Sequence, residues 1–440
     1  MSDLTILSRW QFAITVGFHF VFVSISLGMV WLLFASEAFG FFKNSPDWKR
    51  LSKFFARLFI ITFAFGAATG VVMEFQFGTN WARFSDFSGD VFGPPLAIET
   101  MTAFFLESIF IGLYIFGRGR VGPRVHLFSA FMVALGATIS AFWIIVANSW
   151  MQTPAGFALD NGKVILTDFY ASVFNPSTWP RFFHTVFGLM IAGSLFVSGI
   201  GAYFILRNID KPVGLKAVKL GLAFGIICSI LELFPFGHWS IMQVAHIQPE
   251  KFAAIEAIEK TQSHQRFVIF GIPTSNPPDI NFKCFLCVPS LLSIATYGTS
   301  DAVIKGFDAF DPKDLPPVIL TFTSFHLMVY LGLLFIAFTA WGTWLWHRGK
   351  LEESRYYLMA MLFFIPLPLV AIQLGWITAE VGRQPWIIYG VMRTADASSA
   401  NVASATVGLS LSSIIILYSI LGLVYTGIMT YLVKRGPDKE

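Results

Sequence analysis

Long apolar runs alternate with short polar connections along this chain, and the apolar runs set its architecture. Nine of them, roughly 11–40, 54–77, 95–117, 125–150, 182–206, 217–236, 317–346, 356–380 and 403–433, are long enough to cross a hydrocarbon core as helices. They are too long for barrel strands and do not alternate with period two. The pattern predicts an all-α, polytopic membrane protein with nine transmembrane helices. Helices 1–6 fall in residues 1–239, a long extramembrane loop in 240–316, and helices 7–9 in 317–440. Pro366 and Pro368 are expected to bend the eighth span about three turns before Glu380. Within the loop, 251–260 reads as a short amphipathic helix. Pro273, Pro277, Pro278 and a Cys-x-x-Cys then argue for irregular, partly mobile structure.

Composition agrees: 55% of residues are hydrophobic and 13% charged. The net charge of +4 reflects loop placement and gives no reason to expect nucleic acid. Basic residues gather in alternate connections: Lys43, Lys49, Arg50, Lys53 and Arg57, then Arg118, Arg120 and Arg124, then Arg207, Lys211, Lys216 and Lys219. Arg348, Lys350 and Arg355 follow, with Lys434, Arg435 and Lys439 at the end. The other face holds only Arg9, Arg83, Lys163, Arg181, Arg383 and Arg393 outside the long loop. The positive-inside rule then puts the N-terminus outside, the C-terminus in the cytoplasm, and both the long loop and residues 381–402 outside. The start of the chain has no cleavable-signal pattern. Cys228 reads as a packing residue. Cys284 and Cys287 read as a loop disulfide or two free thiols in preference to zinc, which would need further ligands such as His246 or His264.

Carboxylates and imidazoles inside apolar spans carry the chemistry. Glu37, Glu74, Glu99, Glu107, Glu232 and Glu380 lie in or at the ends of spans, as do His19, His184 and His326. No Lys or Arg lies deep within these boundaries, so each carboxylate must be protonated, reach an interface or meet a metal. Singly, each has an ordinary explanation: a bundle histidine, a gap-filling Met, or, for Glu37 and Glu232, an interfacial carboxylate without function. Depth separates them. His19, Glu74, Glu99, His184, Met328 and Glu380 come from different spans yet fall at a similar level near one face, which suggests a cofactor layer. An imidazole and a thioether, His184 with Met328, together suit a low-spin haem. Glu107 lies about 12 Å deeper than Glu99 at about 1.5 Å per residue, close to the same face, and the two could be steps of a proton path. Gly375-Trp376-Ile-Thr-Ala-Glu380-Val-Gly382-Arg383-Gln-Pro385-Trp386 ends a span in a rigid corner, since Pro385 forbids further helix.

These stretches resemble subunit I of the cytochrome bd family of quinol oxidases nearly end to end. The resemblance rests on Ser8-Arg9-Trp10-Gln11-Phe12 with His19, and on Gly70-Val-Val-Met73-Glu74-Phe-Gln76-Phe-Gly78-Thr-Asn80-Trp81. It extends to Pro95-Leu-Ala-Ile-Glu99, Phe104-Phe-Leu-Glu107-Ser108, Ala147-Asn148-Ser-Trp150-Met-Gln152 and the Gly-Arg-Gln-Pro-Trp corner. It implies that His184 and Met328 are axial ligands of a low-spin haem b. It makes His19 and Glu380 the proximal ligands of two high-spin haems, one haem b and one haem d or a third haem b. Glu99 would stand beside the oxygen-reactive haem, Glu107 on a proton path, and Trp376 between haems. Lys251 and Glu256 would serve the external quinol site, and Arg383 the low-spin haem or the quinol. The family implies a homologous membrane subunit II, a location in the bacterial cytoplasmic membrane, and oxygen as acceptor; a small accessory subunit is left open. Two departures stand out. His326 occupies a place where the family often has Arg and is a rival ligand, and the external loop is short and carries a Cys-x-x-Cys.

The expected activity is oxidation of quinol at the outer face and reduction of oxygen to water, with protons taken from the cytoplasm and none pumped. A relative carrying only b-type haems is the near alternative. A proton-coupled transporter is the distant one; it would place its site near the midplane between repeats, whereas these ligands lie near one face and no repeat is evident.

Overall fold

The computed structural model describes residues 2–277 and 280–438. Pro278 and Lys439, read above as loop and C-terminal features, lie outside the described residues. Among those described, nine helices are long and apolar enough to cross a membrane. They are α1 (Asp3–Phe42), α2 (Pro46–Thr79), α3 (Ala82–Phe116), α4 (Pro123–Gln152), α5 (Thr178–Leu206), α6 (Lys211–Ile247), α7 (Val318–His347), α8 (Arg355–Val381) and α9 (Ser404–Arg435).

Helix α5 is the hub. Some 83% of its most apolar window is buried, against 17% for α3 and 11% for α9, which leaves those two facing outward. Lipid gives helices no hydrophobic reason to associate, so close packing through small residues does the work. A Cβ on Gly28 of α1 would fall 2.1 Å from the Leu189 carbonyl oxygen, and one on Gly193 of α5 would fall 2.0 Å from the Gly28 backbone. The two helices therefore touch backbone to backbone, which fixes the helix bearing His19 against the helix bearing His184. Ser324 Oγ and Thr378 Oγ1, 2.8 Å apart, tie α7 to α8 in the same region.

Four sequence expectations need correction. Helix α3 begins at Ala82, not near 95, because its first turns lie against the connection to α5: Asp86 pairs with Lys163, and Asp90 accepts from the Leu166 amide at 2.7 Å. Hydropathy misses such a polar helix. Helix α6 continues to Ile247, so the boundary at 239/240 falls inside it. A π-helical turn, Glu232–Gly237, contains Pro235, and the wider turn accommodates the missing proline donor. A second π turn, Glu99–Phe104, interrupts α3. In the long loop, the helix spans Pro249–Glu256 and ends at Ala257 in the left-handed region; it is buried from Lys251 to Glu256 and has no solvent face. Among the described residues after it, regular structure replaces the irregular chain expected: β3 (Phe267–Pro273) and β4 (Phe282–Val288) pair as antiparallel strands, with Cys284 and Cys287 joined in a disulfide. The expected bend in α8 is present, as separate helical pieces Arg355–Phe363 and Leu367–Val381.

Candidate functional site

Buried polar groups converge on one cavity of about 1690 Å³, in the half of the bundle next to the 240–316 loop. Its walls are mostly apolar, and it exceeds the roughly 300–1,000 Å³ of an ordinary small-ligand site. Glu74, His184, Lys251, Glu256, Met328, Trp376, Glu380 and Arg383 all border it. Gly375 makes room for the thioether of Met328, since a Cβ there would lie 2.8 Å from Sδ. The ring of Trp376 meets Phe20 edge-on at 5.8 Å, so it reaches the turn of α1 that carries His19.

The charged end of the cavity is built at the corner after α8. Glu380 pairs with Arg383 and accepts from Asn148 Nδ2 at 3.0 Å. Gln152 Nε2 approaches the same carboxylate at 3.4 Å, and Arg181 donates to Asn148 Oδ1 at 2.9 Å. Lys251 Nζ donates to Ala379 O at 2.9 Å and to Gln152 Oε1 at 3.2 Å. Gly382 is needed here because a Cβ would meet the Thr378 carbonyl oxygen at 2.5 Å and the Lys251 stem at 3.1 Å. Burial drives the Lys251 amine well below the usual ammonium range, with Arg181 pushing the same way and Glu380 opposing. Burial likewise lowers Arg383, against the pull of Glu380. Three basic side chains thus surround a single carboxylate, and Arg383 Nη1 is buried without a partner. A buried surplus of donors and positive charge calls for an anionic group. Haem propionates are such a group, and the large, mostly apolar remainder of the cavity has room for a porphyrin, so these residues fit haem.

Glu256 sits apart from that cluster. It is buried, its Oε2 has no partner, and burial raises its carboxyl to about 8. His184 turns Nδ1 toward Glu232 Oε1, at 3.0 Å. His19, Glu99 and Glu107 do not border the cavity. His19 faces α2, with Nδ1 3.0 Å from Thr69 Oγ1 and Gly70 leaving space beside the ring. Glu99 accepts from Ser140 Oγ at 2.6 Å, and Glu107 packs against Gly136. The two residues therefore meet α4 at Ser140 and Gly136, one helical turn apart, through the carboxylate of Glu99 and the Cα and Cβ of Glu107. His19, Glu99 and Glu107 thus stand outside the cavity wall, with His19 against α2 and Glu99 near enough to the cavity residue Glu74 for the two carboxylates to interact.

Three expectations about charge change. Glu232 is not an interfacial carboxylate, since it meets His184 and borders the cavity. Glu37 is buried, paired with Arg118 and bonded by Tyr114 at 2.9 Å. Basic side chains do reach the spans from their ends, as Arg118 and Arg181 do. His326 also borders the cavity, with Nδ1 3.1 Å from Phe322 O and Nε2 3.2 Å from Val268 O. Arg181, Asn148 and Gln152 were not assigned roles from sequence. Two amides spaced i, i+4 at the end of an apolar helix were the available signal.

Comparison with known proteins agrees with this arrangement. The family described as cytochrome bd terminal oxidase subunit I matches residues 7–437. The chain is 38% identical to "Cytochrome bd ubiquinol oxidase subunit 1" of Bacillus subtilis (strain 168), over all of this chain and 95% of that protein. It is 32% identical to "Cytochrome bd-II ubiquinol oxidase subunit 1" of Escherichia coli (strain K12), over all of this chain and 98% of that one. Among solved structures, the bd oxidase from Geobacillus thermodenitrificans superposes with a TM-score of 0.91 at 29% identity, covering 99% of each chain. Nine apolar helices, a porphyrin-sized cavity edged by donors, and matches over nearly the whole length lead to one assignment: the chain belongs to the cytochrome bd terminal oxidase subunit I family.

Proposed function

We propose that this chain is the haem-bearing subunit of a terminal oxidase that oxidises quinol at the outer face and reduces oxygen to water, drawing protons from the cytoplasm without pumping. The observation that carries the reading is the buried donor cluster of Arg181, Lys251 and Arg383 at the end of an apolar cavity that His184, Met328 and Glu380 also border. His184 and Met328 would hold the low-spin haem b, and His19 and Glu380 the two high-spin haems, one b-type and the other d- or b-type. When bound, these groups supply one-electron transfer and oxygen reduction. The protein supplies binding and proton handling.

Arg181, Lys251 and Arg383 neutralise anionic groups at the corner. Glu256 takes the proton that quinol releases, which suits a buried carboxylate with a free oxygen. Glu107 and Glu99, both against α4, hold protons on the way from the opposite face. Trp376 fills the space between the cavity and the His19 flank. A homologous membrane subunit would cover the outward-facing side of α3, where Thr100 and Met101 are exposed beside Glu99. The corner and the long loop lie outside in this reading.

A reduced-minus-oxidised optical spectrum of the purified complex, with quinol-driven oxygen uptake, tests the proposal. Low-spin and high-spin haem bands with uptake are expected, and a spectrum without haem sinks it. The hairpin provides a second check. Tyr330 donates to Ile269 O, and His326 contacts Val268 O, so neighbouring carbonyls of β3 dock on one face of α7. Tyr330→Phe removes one such bond, worth about 1 kcal/mol net. It is expected to raise the quinol KM about fivefold with haem content unchanged; steady-state kinetics beside the spectrum measures both.

A further inference from the structure

We propose that Glu232 is a positioning residue for His184: it seats the imidazole through Nδ1, leaves Nε2 for iron, and its charge lowers the midpoint potential of the low-spin haem below the value an uncharged partner would give. The inference rests on the reading of His184 as an axial ligand of that haem.

Glu232 Oε1 lies 3.0 Å from His184 Nδ1, with both side chains largely withdrawn from solvent. The approach is bent away from a straight hydrogen bond, so charge attraction carries much of the contact. Among the described residues no Lys or Arg forms an ion pair with Glu232; its charge faces the imidazole, on which Arg181 acts in the opposite sense. The backbone is shaped for the contact. Glu232 opens the π turn of α6, and Gly237 closes it. A Cβ at Gly237 would lie 2.9 Å from Glu232 O and 3.7 Å from His184 Nδ1, so a side chain there would crowd the seat. π turns are rare and gather at functional sites. This one has Glu232 at its start and Gly237 at its end, both beside the His184 ring.

The other candidate axial histidine gives the contrast. His19 Nδ1 is 3.0 Å from Thr69 Oγ1, whose own proton goes to Phe65 O at 2.9 Å or Gly66 O at 3.0 Å. The hydroxyl oxygen therefore accepts from Nδ1, and Nε2 is again left free. By this donor accounting Nδ1 carries the proton in both rings; a carboxylate stands at it in His184 and a neutral hydroxyl in His19, each ring also having a backbone carbonyl in reach, of Glu232 and Gly66 respectively. A carboxylate behind a ligating imidazole makes it a stronger donor and favours the more positive, oxidised iron; a hydroxyl does so far less. The difference lowers the potential on the His184 side relative to the His19 side. Electrons run from low to high potential, so this difference favours flow away from the low-spin haem and offsets part of the rise a thioether ligand such as Met328 gives.

The test is an optical redox titration of the purified complex. Glu232→Gln keeps shape and an acceptor oxygen but not the charge. It is expected to retain the low-spin haem and to shift that haem's midpoint potential positive, leaving the high-spin haems where they were. Glu232→Asp keeps the charge and is expected nearer the wild-type value than Glu232→Gln. Glu232→Leu is expected to weaken retention of the low-spin haem about 10–100-fold. A Glu232→Gln complex titrating at the wild-type potential overturns the proposal, as does an Asp variant shifted as far as the Gln variant. His184→Ala separates the two levels. If it keeps the low-spin haem, the ligand reading falls; if it loses that haem while Glu232→Gln is unshifted, only the role of Glu232 falls.

Discussion

Replacing His184 with Ala is expected to abolish the low-spin haem signal and to cut quinol-driven oxygen uptake by at least about 100-fold. Losing only an outer partner of a metal ligand already costs about 10–100-fold in affinity, and this change removes the ligand itself. The loss should be selective, because the His19 flank is built from α1 and α2 with Thr69 and Gly70 at the ring. His184 contributes to none of those contacts. The reduced-minus-oxidised spectrum should therefore keep its high-spin bands while artificial one-electron donors still reduce them. Retention of the low-spin band would remove His184 from the ligand set.

Glu256→Gln should slow quinol oxidation about 100-fold with every haem in place, the size expected of a lost general base. Its pH dependence is the sharper measurement. Burial raises the carboxyl from 4.5 to about 8. Below that value the group holds its proton and accepts no other; above it, the carboxylate is available. The kcat/KM for quinol should therefore rise with pH through about 8, and Glu256→Gln should flatten that limb. A wild-type profile without a rise there, or a Gln variant with unchanged turnover, would exclude the role. Linkage gives the matching sign for stability. Between about 4.5 and 8 the folded chain holds a proton that the unfolded chain has released. This group's contribution to stability consequently falls as pH rises through that window.

How much of the site was legible follows from the physics of each residue. Apolar stretches long enough to span a bilayer announce themselves, so all nine helices were readable, as was the break of α8 at Pro366. Ionisable residues inside such stretches are costly, so His184, Glu380 and Glu107 drew notice without any contact information. Polar helices do not stand out in this way. The first turns of α3 were missed because Asp86 and Asp90 find partners in a connection far along the chain. Arg181 counted only as an outer-face cation, and Asn148 and Gln152 only as part of a resembling stretch, because their roles are defined by a carboxylate roughly two hundred residues or more away.

The sequence by itself determined the number of spans, their apolar character and the residue types able to hold iron, because hydropathy and ligand chemistry are properties of individual side chains and their neighbours in the chain. Tertiary structure alone decided which of those residues meet. It gathered Arg181, Lys251 and Arg383 around Glu380, gave Glu232 to His184 and Thr69 to His19, and turned His326 toward backbone carbonyls. Those outcomes depend on where helices touch and where their turns widen, as at Gly28 against Gly193 and in the π turn at Glu232. Close packing between distant segments leaves no trace in the local pattern of either one.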